Sequence, residues 1–336
     1  MAATTYAAQL GSRRLLSVSG PDAQTFLQGL ITVDMRKLSE KQLVAGAFLN
    51  PKGRILHDVL ISKRPSAGKE SADSPPVYDV ETATSAVDDL VGMLKRFKLR
   101  KKVTIQPDET RKVFAVWGAS AEQLEGQGDA LVDPRPGHAL GRRLWTSQSQ
   151  VKSVQTLLDE AAYHQIRIAA GIAEGPEESG DELPFVLNFD WWPNTLAFDK
   201  GCYTGQELIA RTHFKGQVRK RIMPVLLSTE SSSVGKNDLL PEWTSWKIDG
   251  TTKAIAAPKS AIEPIPGMET KVGEGTLLAL APGGMVNIGL AAFKDAQAVP
   301  PPPGKFVATH QIKTEQGDVI KVCPIRPHWW PSVESV

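Results

Sequence analysis

The sequence predicts an α+β protein of more than one domain, and three observations carry that prediction. A chain of 336 residues exceeds one ordinary hydrophobic core. Residues 64–150 read as strand, helix, strand, strand, helix, strand, the ferredoxin-like order. Residues 223–336 read as short strands between Gly/Pro turns, the pattern of a small antiparallel barrel or jelly roll.

Composition narrows the function classes. Hydrophobic residues make up 41% and charged residues 23%, as in globular proteins. A net charge of +2 gives no whole-molecule field for nucleic acid. Two cysteines far apart form neither a disulfide framework nor a zinc-type ligand pair, which fits a reducing compartment. No apolar run approaches membrane-spanning length, so neither nucleic acid nor a membrane is an expected partner, and the chain alone is expected to be a monomer. No secretory signal is visible, and Met1 to Gly11 is too short and arginine-poor for a transit peptide.

Taken in order, Arg13 to Ser19 reads as a strand. Gly20-Pro21-Asp22 breaks it and opens a short helix with Phe26, Leu27 and Leu30. Ala45 to Leu49 and Arg54 to Ser62 form a hairpin about the turn Asn50-Pro51-Lys52-Gly53. Asp58 interrupts an apolar strand there, either on its solvent side or facing a pocket. Residues 63–76 are a loop by composition. Val77 to Thr82 is a strand. Ser85 to Phe97 is a helix with Val87, Leu90, Val91 and Leu94 on one face. Lys102 to Gln106, Lys112 to Trp117 and Ala139 to Thr146 are strands, with a short helix over Ala119 to Gly126. Ser153 to Gln165 reads as a helix, and Glu177 to Glu182 is acidic. Leu183 to Trp192 is apolar, and its Trp191 and Trp192 belong either to a core or to a pocket wall. Ile222 to Leu227 is a strand, 228–271 a strand with a long insertion, and Pro300 to Pro303 a stiff connector. Strands follow at Thr276 to Leu280, Met285 to Phe293, Lys305 to Ile312 and Val319 to Ile325, the last holding a structural Cys323.

The chemistry concentrates at Asp199-Lys200-Gly201-Cys202-Tyr203-Thr204-Gly205-Gln206-Glu207. Thr204 and Glu207 have the spacing of a capping box, which predicts a helix start with Cys202 just before it. The helix dipole and nearby Lys200 would both favour the thiolate. Gly201 and Gly205 permit tight turns on either side. A free cysteine is otherwise a small buried hydrophobe. Arg211 follows that stretch as an accessory group, and His213 stands in the basic, glycine-containing segment after it as a candidate second ligand or proton carrier.

Lys-Gly-Cys-Tyr-Thr-Gly-Gln-Glu resembles the signature of the YgfZ-type branch of the folate-binding aminomethyltransferase (GcvT-like) family, whose mitochondrial members are iron–sulfur cluster assembly factors. Gly-Pro-Asp, Phe-Leu-Gln-Gly and Pro-Lys-Gly-Arg in residues 10–62, and the segment from Arg167 to Gly175, are similar to it as well. The resemblance implies a three-domain clover: a discontinuous first domain (10–62 plus 151–222), a ferredoxin-like domain (64–150) and a C-terminal β-barrel (223–336). It implies an assembly factor rather than a catalyst, in the mitochondrial matrix, acting with A-type iron–sulfur carrier proteins on four-iron clusters. A cluster usually takes four protein ligands, so Cys202 would be a redox thiol or one ligand of an iron–sulfur cluster shared with the partner. The resemblance places Asp58 and Arg167 at a folate pocket and leaves tetrahydrofolate binding open. The basic run Lys95 to Lys102 is then either a solvated helix end or a patch for an acidic partner or a folate polyglutamate tail. The alternatives are a folate-dependent aminomethyltransferase and a thiol enzyme with His213 or Glu207 as activator. Against the former, the family's Gly-Tyr-Thr-Gly-Glu-Asp-Gly stretch is missing, and only Gly141-Arg142-Arg143-Leu144-Trp145 stands near its place.

Overall fold

The computed structural model describes residues 5–39, 42–65, 75–118, 130–135, 140–146, 156–228, 259–266, 270, 272–281, 287–295, 308–315, 317–327 and 329–331. The chain forms two compact units. One contains Met1–Leu158, Glu174–Pro184 and Trp192–Gln217, and the other Asp159–Ala173, Phe185–Trp191 and Val218–Val336.

In the first unit the strands are β1 (Tyr6–Gln9), β2 (Arg13–Ser19), β3 (Leu43–Leu49), β4 (Ile55–Lys63), β5 (Val77–Ala83), β6 (Thr104–Asp108), β7 (Lys112–Trp117), β8 (Ala130–Val132), β9 (Arg142–Thr146) and β10 (Thr156–Leu158). They form two five-stranded sheets, in the orders β3-β4-β5-β2-β6 and β10-β1-β7-β9-β8. Among the described residues only β1 and β10 pair in parallel. Alternation decides the faces of the first sheet. Leu16 and Val18 of β2, Val59 and Ile61 of β4, and Tyr78 and Val80 of β5 join one apolar core with helices α1 (Ala23–Gln28) and α2 (Val87–Lys98). Arg13, Asp58 and Glu81 take the alternate positions and so leave from the opposite face. They meet Arg143 and Trp145 of β9 and Glu174 in a buried charge network. This covering of both faces explains why β3 is buried throughout.

The second unit holds helix α3 (Glu160–Ala169) and strands β11 (Lys220–Ser228), β12 (Ala261–Pro264), β13 (Gly275–Leu280), β14 (Asn287–Lys294), β15 (His310–Lys313) and β16 (Val319–Pro324). The strands close an antiparallel barrel in the order β11-β14-β13-β12-β15-β16. Met223, Leu277, Phe293, Ile320 and Trp330 are in its core, with Trp191 packed against them.

The α+β architecture with a closed C-terminal antiparallel barrel is therefore as expected. The first four elements of the ferredoxin-like order, β5, α2, β6 and β7, follow one another along the chain, but the strands are shared between sheets. The strands β5 and β6 pair with β2, and β7 and β9 join the sheet of β1. Two expectations are corrected. Thr156–Leu158 is strand rather than helix, because Asp159 caps α3 by accepting from Ala161 N and starts it there. The capping box at Thr204 does not form, as described below. The helix expected at 119–126, most of the 228–271 insertion and Pro300 to Pro303 lie outside the described residues.

Candidate functional site

The cysteine stretch lies in the first unit, where 192–217 packs back on the hairpin and the segment after α1. Ala197 N donates to Thr32 O (3.0 Å) and Thr204 N to Gly29 O (3.2 Å). Gln28 ties three segments together. Its Nε2 donates to Asp34 Oδ1 (2.9 Å) and to Lys200 O (3.1 Å), and its Oε1 accepts from Met35 N (2.7 Å). Lys37 Nζ binds Asp199 Oδ2 at 2.7 Å. Asp34 holds Arg36 through both oxygens, and these hydrogen bonds keep its carboxyl well below the usual carboxylate range. A cavity of about 300 Å³ opens here, lined by Val33, Asp34, Lys37, Leu196, Phe198 and Asp199 among others.

Lys200 is buried, and its Nζ donates to the carbonyl oxygens of Ile31 and Val33 and sits 4.7 Å over the Tyr203 ring. Desolvation is the largest influence on its proton affinity, which falls to about 7. Asp34 opposes that fall and Arg36 assists it. The ammonium thus holds the loop to the 31–33 segment, where the sequence had it serving the thiol. Tyr203 is buried beneath it, and burial pushes its hydroxyl up to about 12.

Helix α4 (Pro176–Ser179) and helix α5 (Gln206–Lys215) complete the first unit. The N-cap of α5 is Gly205 at φ 82°, with no side-chain cap. Thr204 therefore stands one residue outside the cap, and its spacing to Glu207 no longer makes a box. The reason is a close approach. A Cβ on Gly205 would lie 2.6 Å from Asn50 O, so the glycine seats α5 on the hairpin turn. Cys202 is exposed, in the irregular segment before that cap. Gly201 precedes it at φ 88°, a conformation that suits glycine. Gln206 is half-buried, and Glu207 and Arg211 are exposed. His213 stacks on Phe198 with ring centroids 3.7 Å apart, and the exposed Phe214 packs edge-on against both rings. Among the described residues no three His, Cys, Asp or Glu side chains cluster as a metal cage.

Asp58 and Arg167 belong to different units. Asp58 is buried, with Arg13 Nη1 on one oxygen (3.0 Å) and Gly175 N on the other (2.9 Å). Arg167 is buried in the second unit. Its Nε donates to His164 Nδ1 (2.9 Å) and its Nη1 to Ile172 O (3.1 Å). Both side chains are engaged by protein groups within their own units. Trp192 is buried, and Trp191 stacks under Arg221, whose guanidinium lies 3.6 Å from its ring. The sequence reading missed Gln28, Asp34, Lys37 and Phe198, since nothing along the chain links 28–37 to 194–200.

No family model matches the chain. In structure it is similar to the glycine cleavage system aminomethyltransferase T from Bartonella henselae, with a TM-score of 0.66 over 97% of this chain and 86% of that one, at 13% identity. The fold is thus GcvT-like. In sequence it is 36% identical over 296 residues to a protein from Pyricularia oryzae, covering 84% of this chain and 70% of the relative. Relatives from Mycosarcoma maydis (28%, covering 98% and 86%) and Mus musculus (29%, covering 96% and 85%) carry the same description, iron–sulfur cluster assembly factor IBA57 or its homolog, mitochondrial. The chain belongs to this IBA57 family.

Proposed function

We propose that the protein is a mitochondrial iron–sulfur cluster assembly factor whose cargo cluster is held in part by the Cys202 thiolate. The observation that carries this reading is the exposure of Cys202 on a loop fixed at both sides, by Lys200 on Ile31 and Val33 and by Gly205 on Asn50. A thiol presented on a rigid support keeps a defined direction of approach for a partner. One thiolate leaves most cluster positions to be filled, so the remaining ligands come from the partner. We assign that role to an A-type carrier. The aromatic and basic surface of α5, with His213, Phe214, Arg211 and Lys215, is suited to an acidic face with an apolar centre. His213 and Arg211 act in docking on this reading. Folate takes no step in it, and Asp58 is engaged by Arg13 and Gly175. The folate-dependent transferase reading is not favoured.

The test is anaerobic reconstitution with iron and sulfide, with and without an A-type carrier, read by visible absorption. A cluster spectrum that requires both proteins is expected for the wild type and not for Cys202→Ser. A spectrum kept by Cys202→Ser removes the thiol from the mechanism.

A further inference from the structure

The far end of α2 presents a second exposed feature. Lys95, Arg96, Lys98, Arg100, Lys101 and Lys102 fall within eight residues that contain no carboxylate. Cations in a last helical turn are expected from the helix dipole. The dipole does not account for what they surround. Leu99 is 86% exposed and Phe97 46%, while Leu94 and Val103 on either side are buried. Leu99 caps the helix at φ 47° and ψ −116°, a conformation that costs a bulky residue free energy and turns it away from the core. The corner is pinned rather than frayed. Lys101 N donates to Lys98 O (2.9 Å), and Lys102 N to Asp22 Oδ2 (2.7 Å). A shallow cleft borders it, lined by Asp22, Phe97, Lys98, Leu99, Arg100 and Lys101.

We propose that this corner docks the protein on an anionic lipid surface. A convex apolar tip ringed by cations needs a matching acidic pocket if it is to seat in a protein. A bilayer interface accepts it without one. Leu99 and Phe97 would enter the headgroup boundary, and the lysine and arginine stems would lie along it with their charges at phosphate level. Two apolar side chains alone bind weakly, and the six cations supply the second signal that stable docking requires. The docking is peripheral: among the described residues no helix is long and apolar enough to cross a membrane.

The experiment is co-sedimentation of the full-length protein with phosphatidylcholine vesicles, with and without phosphatidylserine. Binding is expected only with phosphatidylserine, and it should weaken as salt rises. Each cation contributes about fivefold in affinity, so Arg100→Glu with Lys101→Glu should lower it by more than about twentyfold. Leu99→Gly keeps every charge and suits the positive φ, so it should lose affinity without losing thermal stability. Three results would overturn the proposal. One is absence of binding at low salt. Another is binding that Leu99→Gly leaves unchanged, which reduces the corner to a solvated helix end. The last is preferential, Leu99-dependent binding of soluble polyglutamate, which points to an acidic protein instead.

Discussion

Lys200 carries a charge into a buried place where its two hydrogen-bond acceptors, Ile31 O and Val33 O, are neutral. Its folded proton affinity is depressed to about 7 from 10.5. Between those values the unfolded chain binds the proton and the folded one does not, so stability rises with pH across that window. Lys200→Met removes the titration. Wild type should therefore gain on the variant between about pH 7 and about pH 10, read as urea midpoints. A constant difference would mean the lysine titrates normally. Gly205 and Gly201 separate two effects that glycine motifs usually merge. Both have positive φ, but only Gly205 has backbone within 3 Å of a would-be Cβ. Gly205→Ala should cost roughly 2–4 kcal/mol and Gly201→Ala roughly 1–2 kcal/mol in chemical denaturation. Equal losses would remove the close approach on Asn50 as a cause. Cys202 is exposed, so Cys202→Ser should stay within roughly 0.5 kcal/mol of wild-type stability.

At the scale of elements, Glu81 of β5 joins the two sheets of the first unit. It accepts from Arg13 Nε (3.1 Å) and Arg143 Nε (3.3 Å) through Oε1, and from Trp145 Nε1 (2.8 Å) through Oε2. It is fully buried, and Glu81→Gln removes the charge that compensates two guanidiniums. A loss of about 3–5 kcal/mol in unfolding free energy is expected. A loss below about 1 kcal/mol would mean that Asp58 and Glu174 suffice for Arg13 and Arg143. This network shows where sequence reading stops. Strands such as Arg13–Ser19 and Lys112–Trp117 were legible because each carries its own apolar stretch. Tyr6–Gln9, Ala130–Val132 and Thr156–Leu158 were not, being three or four residues long and held by their neighbours. Pairing was not legible either, since strand order along the chain says nothing of which edge a strand joins. The exposed thiol and its glycines were readable from one stretch. The carbonyls that Lys200 seeks, and Arg13 as the partner of Asp58, are settled only by contacts across 45 to 169 residues.

On the scale of the whole molecule, each unit has a core of its own, one centred on Leu16, Phe48 and Leu90 and the other on Met223, Leu277 and Phe293. Separate cores favour separate cooperativity. Calorimetry should give a van't Hoff enthalpy below the calorimetric one. Equality of the two would make the chain a single cooperative unit. Neither unit is one continuous stretch, because the chain passes between them at 158, 173, 184, 191 and 217. Synthesis runs from the N-terminus, so α3 emerges long before the strands β11 and β14 that it packs against. Trp191 likewise waits for Trp329 and Trp330, which lie far along the chain from it. Between residues 159 and 329 the ribosome therefore holds a nascent chain whose second core has its first pieces and not its last. Any premature stop after residue 217 strands those apolar faces, which makes late truncations substrates for chaperones and proteases rather than shorter working proteins.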